Sequence, residues 1–217
     1  MKKYNTILFD LDGTLLDTIK DITNSINITL NKHGFNVNYS TRDVETFIGS
    51  GARVLIKRAL KKFNVSDDIY EQVYDDYCKH YADNNLNLTL PFKNVIYTLN
   101  LLKEKGYTLG IISNKPHEDT LRVVNYYFPN LFNIVIGKMT NFKPKPDREV
   151  FDYITNTYTL NTTNCLYIGD MNVDVQFAKN CNMDVCIYAN GYGKIRNDIG
   201  QNYTFDNFID ILKIVEE

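Results

Sequence analysis

The sequence predicts an α/β protein: a parallel sheet with helices on both faces, into which an all-helical segment is inserted. Three observations carry this. A short apolar run, Ile7-Leu8-Phe9, opens the chain and reads as a buried strand. Residues 18–83 then show helical periodicity and no strand pattern. From Pro91 onward short apolar runs alternate with amphipathic stretches, the pattern of strand–helix–strand units whose right-handed crossovers build a parallel sheet.

Each element has its own signal. The first strand ends in Asp10-Leu11-Asp12-Gly13-Thr14, where alternation sends both carboxylates to one side and Gly13 lets the chain turn sharply. Apolar residues at 19, 22, 26 and 30 mark a helix that Gly34 stops. Thr41 is a fair N-cap for a second helix, Ile48-Gly49-Ser50-Gly51 interrupts the pattern, Val54 to Leu60 resume it, and residues 67–82 form a Tyr-rich helix. Pro91 to Lys105 reads as a helix ended by Gly106. Strands follow at Tyr107–Ile112, Asn133–Ile136, Cys165–Ile168 and Asp184–Tyr188, separated by helices reaching Tyr127 and spanning about 148–157 and 173–180.

Composition narrows the function classes. With 217 residues, 44% of them hydrophobic and 23% charged, the chain can bury a sizeable core. A net charge of −2 argues against a general nucleic-acid or anionic-membrane surface. No apolar segment approaches the roughly 20 residues that cross a bilayer. The first strand follows Met1 so closely that no signal peptide is expected. Cys78, Cys165, Cys181 and Cys186 have no metal-ligand spacing and read as reduced structural thiols, as in a cytoplasmic protein.

In parallel sheets ligands bind beyond the carboxyl ends of the strands. There the sequence collects Asp10, Asp12, Ser113, Asn114, Lys143, Asp170 and Asp174. Clustered carboxylates repel, so a hard divalent cation is their natural occupant, and all-oxygen ligands favour Mg²⁺, with Asp10 and Asp170 binding it directly. Such a site suits phosphoryl chemistry. Asp10 can attack phosphorus, and Asp12 can protonate the leaving oxygen and later deprotonate water. Ser113 and Lys143 would hold phosphoryl oxygens. Lys143 is preferred to its competitor Lys145 because it leads the Lys-Pro-x-Pro run. Arg53, just after the Gly-Ser-Gly loop, could meet a substrate carboxylate or be an exposed helix arginine.

Asp10-Leu11-Asp12-Gly13-Thr14, Ser113, Lys143-Pro144, and Gly169-Asp170 with Asp174 resemble the four ordered motifs of the haloacid dehalogenase superfamily of phosphatases. The resemblance implies a Rossmann-like core of residues 1–16 and 84–217 and a helical cap of the C1 type at 17–83. It also implies Mg²⁺ held by Asp10, Asp170 and the backbone carbonyl of Asp12, with Asp174 orienting Lys143 and water. Phe47-Ile48-Gly49-Ser50-Gly51-Ala52, Ser113-Asn114-Lys115-Pro116 and Asn190-Gly191-Tyr192-Gly193 are similar to phosphoglycolate phosphatases, and Asn114 is expected beside Ser113 in the phosphate-binding set. Met171 stands where that group commonly has Ser or Thr, and Lys93 where it has Gly.

The expected activity is hydrolysis of a small phosphorylated metabolite, phosphoglycolate first, by a monomer or homodimer with no nucleic-acid or membrane partner. Pyrophosphate and nucleotide phosphatases share much of the pattern. A phosphosugar mutase would carry a His shortly after Asp17-Thr18, which is missing here. A receiver-like signalling domain would also accept phosphate on Asp, but the helical insertion and the second acid pair speak against it.

Overall fold

The computed structural model describes residues 3–216. The chain divides into two compact units, Met1–Leu16 with Pro91–Glu217, and Asp17–Leu90. The second boundary lies later than the expected residue 84. Residues 85–90 stay with the helical unit because the buried Asp21 carboxylate accepts the main-chain N–H groups of Leu88 (3.0 Å) and Thr89 (2.9 Å) and the Thr89 hydroxyl (2.8 Å).

In the first unit, β1 (Thr6–Phe9) is buried along its whole length. Both connections to the helical unit are two-residue strands, β2 (Leu16–Asp17) and, on the return, β3 (Leu90–Pro91). Between them lie α1 (Ile19–Lys32), α2 (Thr41–Glu45), α3 (Ala52–Ala59) and α4 (Asp67–Asn84). Helix α1 buries Ile19, Ile22, Ile26 and Leu30, the face its periodicity marks. It packs with α4, which buries Val73, Tyr77 and Tyr81, the two tyrosines stacked at 5.8 Å. The N-cap of α2 is Ser40 rather than Thr41: its hydroxyl accepts from Asp43 N, and the Asp43 carboxylate accepts from Ser40 N, closing a capping box.

The remaining elements build the sheet: α5 (Val95–Glu104), β4 (Thr108–Pro116), α6 (His117–Tyr127), β5 (Ile134–Lys138), α7 (Glu149–Tyr158), β6 (Cys165–Gly169), α8 (Asn172–Asn180), β7 (Asp184–Tyr188), β8 (Tyr203–Phe205) and α9 (Ile211–Glu216). Helix α5 begins four residues after the expected Pro91. The last strand and helix are too short to show a period in the sequence.

Six strands form one sheet in the order β5-β4-β1-β6-β7-β8, with parallel pairing throughout. Strands are added outward from β1 first on one side and then on the other. Right-handed crossovers therefore put the helices of the two halves on opposite faces. One face packs Leu8, Ile112, Tyr167 and Ile187 against Phe151 of α7 and Phe177 of α8. Each such fully buried side chain contributes roughly 1.5–3 kcal/mol. The reversal of strand order falls at the carboxyl ends of β1, β4 and β6, where a parallel sheet opens a crevice. Among the described residues the four cysteines are free thiols, and no helix is long and apolar enough to cross a membrane.

Candidate active site

The chain leaves β1 through a tight loop in which Leu11 O accepts from Leu15 N (2.9 Å) and Leu16 N (3.0 Å). Gly13 sits at φ +90° beneath Tyr192 and Asp170, where a Cβ would lie 2.6 Å from the tyrosine ring and 2.7 Å from the carboxylate. The loop holds Asp10 at the sheet edge and presents Asp12 beside it.

Strand β6 delivers Asp170, and the first turn of α8 delivers Asp174; both are fully buried. Asp170 Oδ1 accepts from the Thr14 hydroxyl (2.9 Å), and its Oδ2 accepts from Tyr192 N (2.8 Å) and Gly193 N (3.3 Å). Asp174 Oδ2 accepts the main-chain N–H groups of Asp170 (3.1 Å) and Met171 (3.0 Å). The turn at Met171 is thus held through its backbone by Asp174.

Ligand oxygens of Asp10, Asp170 and Asp174 lie within 4.8 Å of one another. Burial pushes the Asp10 carboxyl up to about 6; the Lys145 ammonium opposes the rise, and Asp174 and Asp12 add to it. Burial, then Asp174 and Asp10, raise Asp170 well above the carboxylate range. Asp10 Oδ1 is buried, with the Lys145 ammonium 3.0 Å away. An all-oxygen cluster with crowded negative charge fits a hard divalent cation.

The cation this cluster already holds is Lys145, not the expected Lys143. Lys145 Nζ is 2.7 Å from Asp174 Oδ1, 3.0 Å from Asp10 Oδ1 and 2.7 Å from the Tyr167 hydroxyl. Burial lowers its pKa, but Asp10 and Asp174 more than reverse that and keep it charged. Lys143 is turned outward instead: its ammonium pairs with Glu149 at 2.7 Å, its main-chain N–H donates to the same carboxylate, and its side chain is 68% exposed.

Asn114 is tied to the Lys145 backbone. Its amide oxygen accepts from Lys145 N (2.7 Å) and its amide nitrogen donates to Lys145 O (3.1 Å), a two-way clamp that aims the lysine inward. Ser113 lies buried beside it at the end of β4. In the helical unit Arg53 pairs with Glu71 at 2.7 Å, and its guanidinium lies 4.1 Å from the centre of the Tyr74 ring. In the sequence Lys145 stands only as the competitor of Lys143, and Lys115 and the 191–193 turn belong to motifs with no site role of their own. Nothing in the local sequence distinguishes the directions of Lys143 and Lys145.

The parallel sheet with an acid and lysine cluster at its carboxyl edge defines the class. The model of the haloacid dehalogenase-like hydrolase family matches residues 7–188, and the chain belongs to that family. More particularly, it is similar to the phosphoglycolate phosphatase of Aquifex aeolicus, 29% identical over 211 residues that cover 97% of this chain and 96% of the relative. It is likewise similar to that of Colwellia psychrerythraea, 31% identical over 223 residues, covering 98% and 97%. Among solved structures, a predicted phosphoglycolate phosphatase from Haemophilus somnus superposes with a TM-score of 0.91 at 29% identity over 99% of both chains.

Proposed function

We propose that this chain is a Mg²⁺-dependent phosphatase that hydrolyses small phosphomonoesters, with phosphoglycolate its preferred substrate. The observation that carries the reading is the convergence of Asp10, Asp170, Asp174 and Lys145 at the sheet's carboxyl edge, in a member of a hydrolase family. The full-length similarity to phosphoglycolate phosphatases supports the substrate.

In this reading an Asp10 oxygen attacks phosphorus and the bond from phosphorus to the ester oxygen breaks, leaving an aspartyl-phosphate. Asp12 gives its proton to the departing alkoxide. It then takes a proton from the water that attacks phosphorus; the Asp10–phosphorus bond breaks, releasing inorganic phosphate and the free carboxylate. Lys145 and Ser113 hold phosphoryl oxygens, and Asp174 with the Asn114 clamp keeps the Lys145 ammonium aimed at them. Asp10, Asp170 and the backbone carbonyl of Asp12 would hold Mg²⁺, with Asp174 supporting them. When bound, the ion supplies charge neutralisation between a carboxylate nucleophile and an anionic phosphoryl group.

The test is phosphate release from phosphoglycolate, pyrophosphate, nucleoside monophosphates and an aryl phosphate, with and without Mg²⁺. The highest kcat/KM is expected for phosphoglycolate, and only with the metal. A higher value for pyrophosphate or a nucleotide would replace the substrate. Stable phosphorylation of Asp10 by a small phosphodonor without release would replace the enzyme with a phospho-accepting signalling domain.

A further inference from the structure

The run Ser113-Asn114-Lys115 puts three polar side chains in the last residues of β4, and the third has no part in the proposed reaction. Lys115 Nζ donates to both oxygens of Asp12, at 3.0 Å and 3.2 Å. Its side chain is 3% exposed, against 21% for Asp12. The main chain around it is tied on both sides: Lys115 N donates to the Ser113 hydroxyl at 3.3 Å, and Lys115 O accepts from the Thr120 hydroxyl at 3.3 Å. The lysine is therefore aimed by its backbone, and its ammonium meets the carboxylate with little freedom to leave.

Burying an ammonium has a desolvation cost of several kcal/mol unless a well-placed anion offsets it. A shorter apolar side chain would fill the space without that cost. The site thus holds two buried lysines with different carboxylate partners. Lys145 lies on Asp10 and Asp174, and Lys115 lies on Asp12. An acid/base carboxylate works only from one orientation, because the proton must pass along a hydrogen bond to the ester oxygen. An unclamped aspartate at the rim of a loop would sample several rotamers, whereas a two-oxygen contact holds its plane.

We propose that Lys115 is a positioning residue for the proton-transfer steps, orienting Asp12 toward the leaving oxygen rather than binding the phosphoryl group. The proposal rests on the acid/base reading of Asp12, and leaving groups separate the two. The value of kcat/KM covers steps up to departure of the leaving group. The alkoxide of glycolate needs a proton to depart, and 4-nitrophenolate does not.

Lys115→Met, which keeps the length and removes the charge, is expected to lower kcat/KM for phosphoglycolate about 30-fold more than for 4-nitrophenyl phosphate, part of the 10²–10⁴ that a positioned acid supplies. In an Asp12→Asn background the same change should add no further discrimination, since residues acting through one group are not additive. Lys115→Arg should recover most of the loss, which also guards against a misfolded Met variant. Equal losses on both esters with weaker inhibition by inorganic phosphate would make Lys115 a phosphoryl ligand and overturn the proposal. An unchanged preference would overturn it as well. If Asp12→Asn itself fails to discriminate between the esters, the acid/base reading falls before the lysine is considered.

Discussion

Asp10 is costly to the protein that carries it. Its folded pKa of about 6 lies above the ordinary 3.8, so the neutral form is the one the fold favours. In metal-free protein its contribution to stability is fully present below about 4 and is lost as pH rises through about 6, a difference of about 3 kcal/mol at one pKa unit per 1.36 kcal/mol. Asp10→Asn should therefore raise the melting temperature in chelator at pH 7.5 by about 5 °C or more, and flatten that part of its pH dependence. The same variant should lose at least about 10³ of turnover, because the nucleophile is gone. Melting curves and phosphate release on one preparation check both. The two lysines of the Lys-Pro-x-Pro run give the opposite contrast. Lys145→Met leaves the buried Asp10 and Asp174 uncompensated, at a cost of about 3–5 kcal/mol, and should abolish activity. Lys143→Met removes an exposed pair with Glu149, and both melting and kcat should stay close to those of the parent.

At the scale of elements, the turn after β7 is the part whose purpose emerges only from packing. Asn190-Gly191-Tyr192-Gly193 brings two backbone N–H groups to Asp170 Oδ2. Gly191 passes so close that a Cβ there would lie 2.3 Å from Asp170 Cβ and 2.5 Å from Gly13 O. Gly191→Ala must push the turn or the carboxylate aside. The expected result is Mg²⁺ affinity weakened about 10–100-fold, the range for outer-shell changes, read from the Mg²⁺ dependence of both activity and thermal stability. Strand–helix alternation announced β4 to β7 because each buried strand carries its own apolar run. It could not announce β8, whose three residues show no period, nor the strand order, which depends on pairing between segments far apart in the chain.

For the whole molecule, three carboxylates crowded at the edge of the sheet mean that a bound cation should add to folding stability. At about 100 times its Kd, Mg²⁺ would contribute about 2.7 kcal/mol. For a chain of this length that corresponds to a rise in melting temperature of about 5–10 °C. A chelator should reverse the rise, and Asp170→Asn should abolish it; a melting temperature indifferent to Mg²⁺ would count against the cluster as a cation site. The units themselves divide where the backbone is satisfied. Asp21 gathers the N–H groups of Leu88 and Thr89 into the helical unit, so the boundary falls at Leu90 rather than near the end of α4.

What was legible in the linear order was whatever local chemistry could encode: apolar runs for strands, a 3.6-residue period for α1, and the ordered acids Asp10, Asp12, Asp170 and Asp174 following strands. Which lysine turns inward was decided by the tertiary structure alone. Lys143 and Lys145 stand in nearly the same local sequence, and the difference lies in partners supplied from elsewhere. Asn114 clamps one backbone, Tyr167 and Asp174 receive one ammonium, and Glu149 draws the other away. The same holds for Lys115 over Asp12 and Gly191 over Asp170. A buried charge is placed by the groups that offset its desolvation, and those groups meet only when the strands that carry them lie side by side.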